Sequence, residues 1–141
     1  MSVNSKQKGA RFEREVAQAF RDAGFTDAHR SAQYCGNTGE APDVAGVPGL
    51  HIECKHYKDT EWKDEWWEQA KKDAHLKARP VVIHKMDRHK AKVRLDGLTA
   101  SAILSCTETK GHGILVELDL DDFIKAFKEY DANCWRPHGE R

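Results

Sequence analysis

The chain has 141 residues, 33% of them charged and 39% hydrophobic, which suits one globular domain spanning 1–141 with a single core and leaves no room for a second. No apolar run is long enough to span a bilayer and the first residues lack a signal-peptide core, so a cytoplasmic protein with no membrane partner is expected. Cys35, Cys54, Cys106 and Cys134 form no Cys-x-x-Cys pair, so free thiols are expected, with neither a disulfide framework nor a zinc ribbon. The formal net charge is zero, so any affinity for a phosphate backbone has to come from how the charges are distributed.

Residues 1–8 are polar and expected to be loose. From Gln7 to Ala23 the residues Phe12, Val16, Ala19, Phe20 and Ala23 recur at helical spacing, and Gly24 supplies the stop. Glu13 falls at the edge of that apolar stripe, where an acid can reach into a cleft or pair with Lys8, Arg14 or Arg21. Phe25 to Gln33 reads as a strand carrying Arg30 and Ser31. An arginine there can bind two phosphate oxygens and a serine hydroxyl one; both also suit a polar strand end. The glycine-containing stretch from Tyr34 to Glu40 reads as a flexible loop leading to Pro42-Asp43.

Leu50 to Lys55 is a short strand after the turn at Pro48-Gly49. Side chains two apart share a strand face, so Glu53 and Lys55 project together and Cys54 points the other way. If Asp43 to Ala45 pairs back on this strand through residues 46–49, Asp43 lies beside Glu53. Two carboxylates and an ammonium then converge, a donor set for Mg²⁺ with a cation able to orient water or offset charge on phosphorus. An exposed strand with a Glu-Lys ion pair has the same pattern.

Thr60 to Ala78 reads as a helix whose broad apolar face carries Trp62, Trp66, Trp67, Ala70, Ala74 and Leu76. Those tryptophans suit packing on a sheet or a dimer seam better than base stacking. Pro80 to Lys85 is a buried strand, and Lys90 to Leu95 a half-buried one. Its alternation aligns Lys90, Lys92 and Arg94 as a ladder for phosphates or as a charged sheet edge. From Lys71 to Arg94 nine basic residues stand against Asp73 and Asp87 alone, which allows a basic face. Leu98 to Cys106 is weakly helical, Ile114 to Leu118 a strand, and Asp121 to Tyr130 a helix capped by Asp119 or Asp121. A polar tail from about residue 132 is expected to be flexible. The eight histidines show no zinc-finger spacing; His51 and His56 are close enough in sequence to Glu53 to assist it, and otherwise read as surface residues.

Pro42-Asp43, followed ten residues later by Glu53-Cys54-Lys55, resembles the PD-(D/E)XK nuclease signature. Lys8 to Glu15, Gly24-Phe25 and Arg30-Ser31 resemble the start of archaeal-type Holliday-junction resolvases and their phage-encoded relatives. The likeness runs from Lys8 to Lys58 and more loosely to Lys85. It implies a restriction-endonuclease-like α/β core, a central mixed sheet flanked by helices, which the element order also predicts. It further implies a Mg²⁺- or Mn²⁺-dependent endonuclease for DNA, branched DNA above all, working as a homodimer. Asp43, Glu53 and the Cys54 carbonyl would hold the ion, Glu13 would complete its shell, and Lys55 would orient the attacking water. Arg30 would sit near the scissile phosphate, and Gln69 beside the metal. A restriction-like or nicking enzyme and a non-catalytic DNA-binding module are the alternatives.

Overall fold

The structure is a computed structural model that describes residues 4–31, 41–75, 78–105 and 115–133. Helix α1 (Ser5–Asp22) starts where the Asn4 side chain accepts from the Lys6 amide at 3.0 Å. Residues 5–8, expected to be loose from their polarity, therefore belong to α1, and residues 1–3 lie outside the described residues. Phe12, Val16, Ala17 and Phe20 form the buried stripe of α1. The helix ends before Gly24, whose φ of +109° lies in the left-handed region that glycine tolerates.

Strands β1 (His29–Arg30), β2 (Val44–Ala45) and β3 (Leu50–Tyr57) follow, then α2 (Asp64–Ala74), β4 (Arg79–Met86) and β5 (Lys92–Asp96). Helix α3 (Gly97–Ser105), β6 (Leu115–Asp119) and α4 (Leu120–Asn133) close the chain. The six strands form one sheet in sequential order. All neighbours are antiparallel except β3 and β4, which run parallel and are joined over α2. The mixed sheet flanked by helices is the fold class read from the sequence.

Alternation splits the sheet into two faces. Leu50, Ile52 and Cys54 of β3, Val81 and Ile83 of β4, and Val93 and Leu95 of β5 join α1, α3 and α4 in the main core, with Phe20 and Phe123 fully buried at its centre. Each such aromatic contributes about 1.5–3 kcal/mol of transfer free energy. On the other face Val82 packs against Trp66 and Ala70 of α2. Glu53 is paired with Val82 in the β3–β4 register, so it belongs to this second, thinner layer.

Three element expectations need correction. Of the strand expected over Phe25 to Gln33, the described residues form a strand at His29–Arg30 alone, because Phe25 turns inward to meet Phe20 and Phe127, at centroid distances of 5.9 and 5.5 Å. Residues 32–40, including the expected glycine loop, lie outside the described residues. Helix α2 begins at Asp64, after an extended Lys63, and ends at Ala74 because His75 turns left-handed at φ 50°. Leu76 is outside the described residues. Finally, β5 is an interior strand between β4 and β6, so its basic residues guard no sheet edge.

Helix α3 starts one residue earlier than read, because Asp96 caps it: Oδ1 accepts from the Thr99 amide at 2.8 Å and Oδ2 from the Thr99 hydroxyl at 3.0 Å. Asp121 and Asp122 occupy the first turn of α4, where the helix dipole favours anions. Residues 134–141 of the expected flexible tail lie outside the described residues. Among the described residues no helix is long and apolar enough to cross a membrane.

Candidate active site

Asp43 stands one residue before β2. Its amide donates to the Ile52 carbonyl at 2.8 Å and its carbonyl accepts from the Ser31 amide at 3.0 Å. The β2–β3 register, with Val44 opposite Ile52, puts Asp43 opposite Glu53. Gly46 is what lets the chain turn here: its φ is +85°, and a Cβ on it would stand 2.0 Å from the Asp27 carbonyl oxygen. The two carboxylates come together as the turn geometry read from the sequence requires.

Both are buried, Asp43 at 9% exposure and Glu53 at 8%. Asp43 Oδ2 accepts from the Cys54 amide at 2.8 Å. Burial first, and then the Glu53 charge, push the Asp43 carboxyl up from 3.8 to about 8; the Cys54 amide opposes the shift and the Glu13 charge adds to it. Two buried acids this close cannot both ionise cheaply without a cation. The Cys54 thiol points into the main core, and burial with the surrounding carboxylates raises its pKa well above the ordinary range.

Lys55 is half-buried, two residues beyond Glu53 on the same strand face, and its backbone is paired with His84 in the β3–β4 ladder, while its side chain forms no hydrogen bond or ion pair among the described residues. Glu13 approaches from α1 and accepts from Arg30 Nε of β1. The sequence marked these two residues separately, one for metal and one for phosphate; the structure joins them as an ion pair. Ser31 contributes its backbone amide to Asp43.

Two further residues enter this site: His51, which the sequence offered either as a helper of Glu53 or as a surface residue, and Asp73, which it did not place there. His51 is 4% exposed and its Nε2 lies 2.8 Å from Glu53 Oε1, so it is a buried partner of the site and not a surface histidine. Asp73 of α2 brings a carboxylate oxygen to the same place: one donor atom each from His51, Glu53 and Asp73 lie within 4.8 Å of one another. Gln69, expected near the metal, donates to both Asp73 oxygens at 2.9 Å. Strand parity was the available signal for His51, since it shares a face with Glu53 and Lys55. The signal for Asp73 was its i,i+4 relation to Gln69. His56 takes a different course, packing against Phe12 with the rings tilted at 56° and facing Asp87 at 2.8 Å, and burial followed by the Lys8 charge lowers its pKa.

The basic ladder is altered by its surroundings. Lys90 is exposed and precedes β5. Lys92 and Arg94 both pair with Glu117 of β6, and the Arg94 guanidinium lies 4.1 Å from the Trp62 ring centroid. The tryptophans pack, as read: Trp62 meets Trp66 edge-on, and Trp66 stacks on Tyr57 at 5.1 Å.

The family model described as "Phage putative PDDEXK endonuclease" matches residues 4–129. No curated protein matches the sequence. Among solved structures the chain is similar to Hjc of Archaeoglobus fulgidus, a Holliday junction resolvase from an archaeal hyperthermophile. That match has a TM-score of 0.52 and 23% identity, covering 83% of this chain and 98% of the other. The likeness establishes the fold as restriction-endonuclease-like. The chain belongs to the PDDEXK phage endonuclease family, and it is a nuclease of that type.

Proposed function

We propose that this nuclease cuts branched DNA, with Holliday junctions as its preferred substrate, and that its active-site residues are Glu13, Asp43, Glu53 and Lys55. The observation that carries the catalytic assignment is the buried pairing of Asp43 with Glu53, two oxygen donors in need of positive charge, with Lys55 on the same strand face as Glu53. That donor chemistry fits a hard divalent cation, Mg²⁺ or Mn²⁺, held by Asp43, Glu53 and the Cys54 carbonyl with Glu13 completing the shell. When bound, such an ion polarises a phosphoryl oxygen and lowers the pKa of water.

The protein's own residues do the rest. Asp43, fixed by the Cys54 amide, and Glu53, fixed by His51, keep their carboxylates in place without reorganisation. Lys55 orients the attacking water and offsets negative charge developing on phosphorus. Arg30, on the Glu13 side, and Ser31 contact the backbone of the bound strand, and Lys90, Lys92 and Arg94 extend that contact. Lys92 and Arg94 do so by leaving or sharing Glu117. A homodimer would present two such sites to opposite arms of a junction.

The test is cleavage of a labelled immobile four-way junction and its matched linear duplex, with Mg²⁺ or with EDTA. Paired nicks in the junction alone, abolished by EDTA, are expected. Equal cutting of both substrates points to a restriction-like or nicking enzyme. Salt-dependent binding without cutting points to a non-catalytic DNA-binding module.

A further inference from the structure

We infer that His51, Glu53 and Asp73 form a second cation site, sharing Glu53 with Asp43 and selecting an ion that accepts imidazole nitrogen. Glu53 has two sides. Towards β2 it meets Asp43; towards α2 it meets His51 and Asp73. The three donor atoms of the second group lie within 4.8 Å of one another. Around an ion with bonds of about 2.1 Å, neighbouring donors stand roughly 3.0–3.4 Å apart. Closing the group therefore shortens donor separations by at most about 1.8 Å, within the reach of side-chain adjustment.

The surroundings support ligation over a simple surface cluster. His51 is buried on a rigid interior strand, held in register with Pro80 of β4. Asp73 is half-buried, and the two Gln69 contacts orient its carboxylate from behind, in the way ligating carboxylates are oriented by an outer shell. One nitrogen and two oxygens suit Mn²⁺, Co²⁺ or Zn²⁺, whereas Mg²⁺ prefers an all-oxygen shell. The residues therefore set a division of labour: an oxygen-only position between Asp43 and Glu53, and a nitrogen-containing one between Glu53 and α2. The geometry of the second site stands without the nuclease reading; only its sharing of Glu53 rests on it.

The probe is Mn²⁺ added to the full chain, read by pulsed electron paramagnetic resonance for coupling to an imidazole ¹⁴N and by titration for affinity. Wild type should show the ¹⁴N coupling, Asp43→Asn should keep it, and His51→Gln should lose it. Asp73→Asn, on a half-buried helix position that tolerates the change, should weaken Mn²⁺ binding by about tenfold or more. Absence of ¹⁴N coupling in wild type, its persistence in His51→Gln, or unchanged Mn²⁺ affinity in Asp73→Asn each overturns the inference. If His51→Gln does not fold, the Asp73→Asn affinity alone decides. A chain that shows the coupling yet cuts no DNA in Mg²⁺ keeps this site and loses the proposed function.

Discussion

Asp43 faces Glu53 across the β2–β3 pair, and its carboxylate is tied to the amide of Cys54, the residue that follows Glu53. This places a proton on one of the two acids at neutral pH unless a cation takes its place, and that has consequences for stability. The Asp43 pKa is raised from 3.8 to about 8. Between those values the unfolded chain releases the proton and the folded chain keeps it, so the metal-free protein loses stability as pH rises. Its thermal midpoint should fall from pH 5 to pH 8, recover with millimolar Mn²⁺, and become nearly pH-independent over that range in Asp43→Asn. At pH 8 that variant should be more stable than metal-free wild type by more than about 1 kcal/mol. A wild-type midpoint that rises over this range contradicts the assignment.

The Lys55 side chain has no hydrogen bond or ion pair to lose among the described residues, and its backbone pairing in β3 survives truncation. Lys55→Ala should therefore leave the thermal midpoint within about 2 °C of wild type and lower cleavage by about 10²–10³-fold, the cost typical of removing one pre-positioned charge. Single-turnover rates measured beside the melting curve check both halves.

The Arg30–Glu13 pair should separate activity from stability in the same way. Arg30 has 39% of its side chain exposed, so the ion pair contributes little, about 0–1 kcal/mol. Arg30→Ala removes the proposed phosphate contact and also leaves the Glu13 charge uncompensated beside Asp43. Cleavage should fall at least tenfold while the urea midpoint hardly moves.

Gly46→Ala tests how the turn positions Asp43. The added methyl meets the Asp27 carbonyl and the φ of +85° disfavours any side chain. The cost should be about 2 kcal/mol or more, with amide exchange accelerating first at His29, Arg30 and Val44. An unchanged exchange pattern rules out the close approach of β2 to the 27–28 turn.

The fold was readable where periodicity and burial agree. The α1 stripe, the two long central strands and the α2 crossover all appear within a few residues of their expected places. The Asp43–Glu53 meeting was readable as well, because a glycine turn and strand parity together fix a register. What escaped was tertiary. Phe25 looks like a strand residue by propensity, but the aromatic cluster with Phe20 and Phe127 draws it into a turn. Lys92 and Arg94 look like free cations until β6 brings Glu117 opposite Arg94. Asp73 lies twenty residues beyond Glu53 and reaches it only because α2 crosses over β3. No local pattern announces that.

Asp43 and Glu53 together are proposed to form one cation-dependent cleavage site. The measurement that tests it most directly is cleavage of labelled four-way-junction DNA in Mg²⁺ by wild type, Asp43→Ala and Glu53→Ala, each first shown folded by circular dichroism. Cutting by wild type that EDTA abolishes, and that both folded variants lose, is the predicted result. Full cutting by either folded variant shows that the Asp43–Glu53 pair is not the cleavage site.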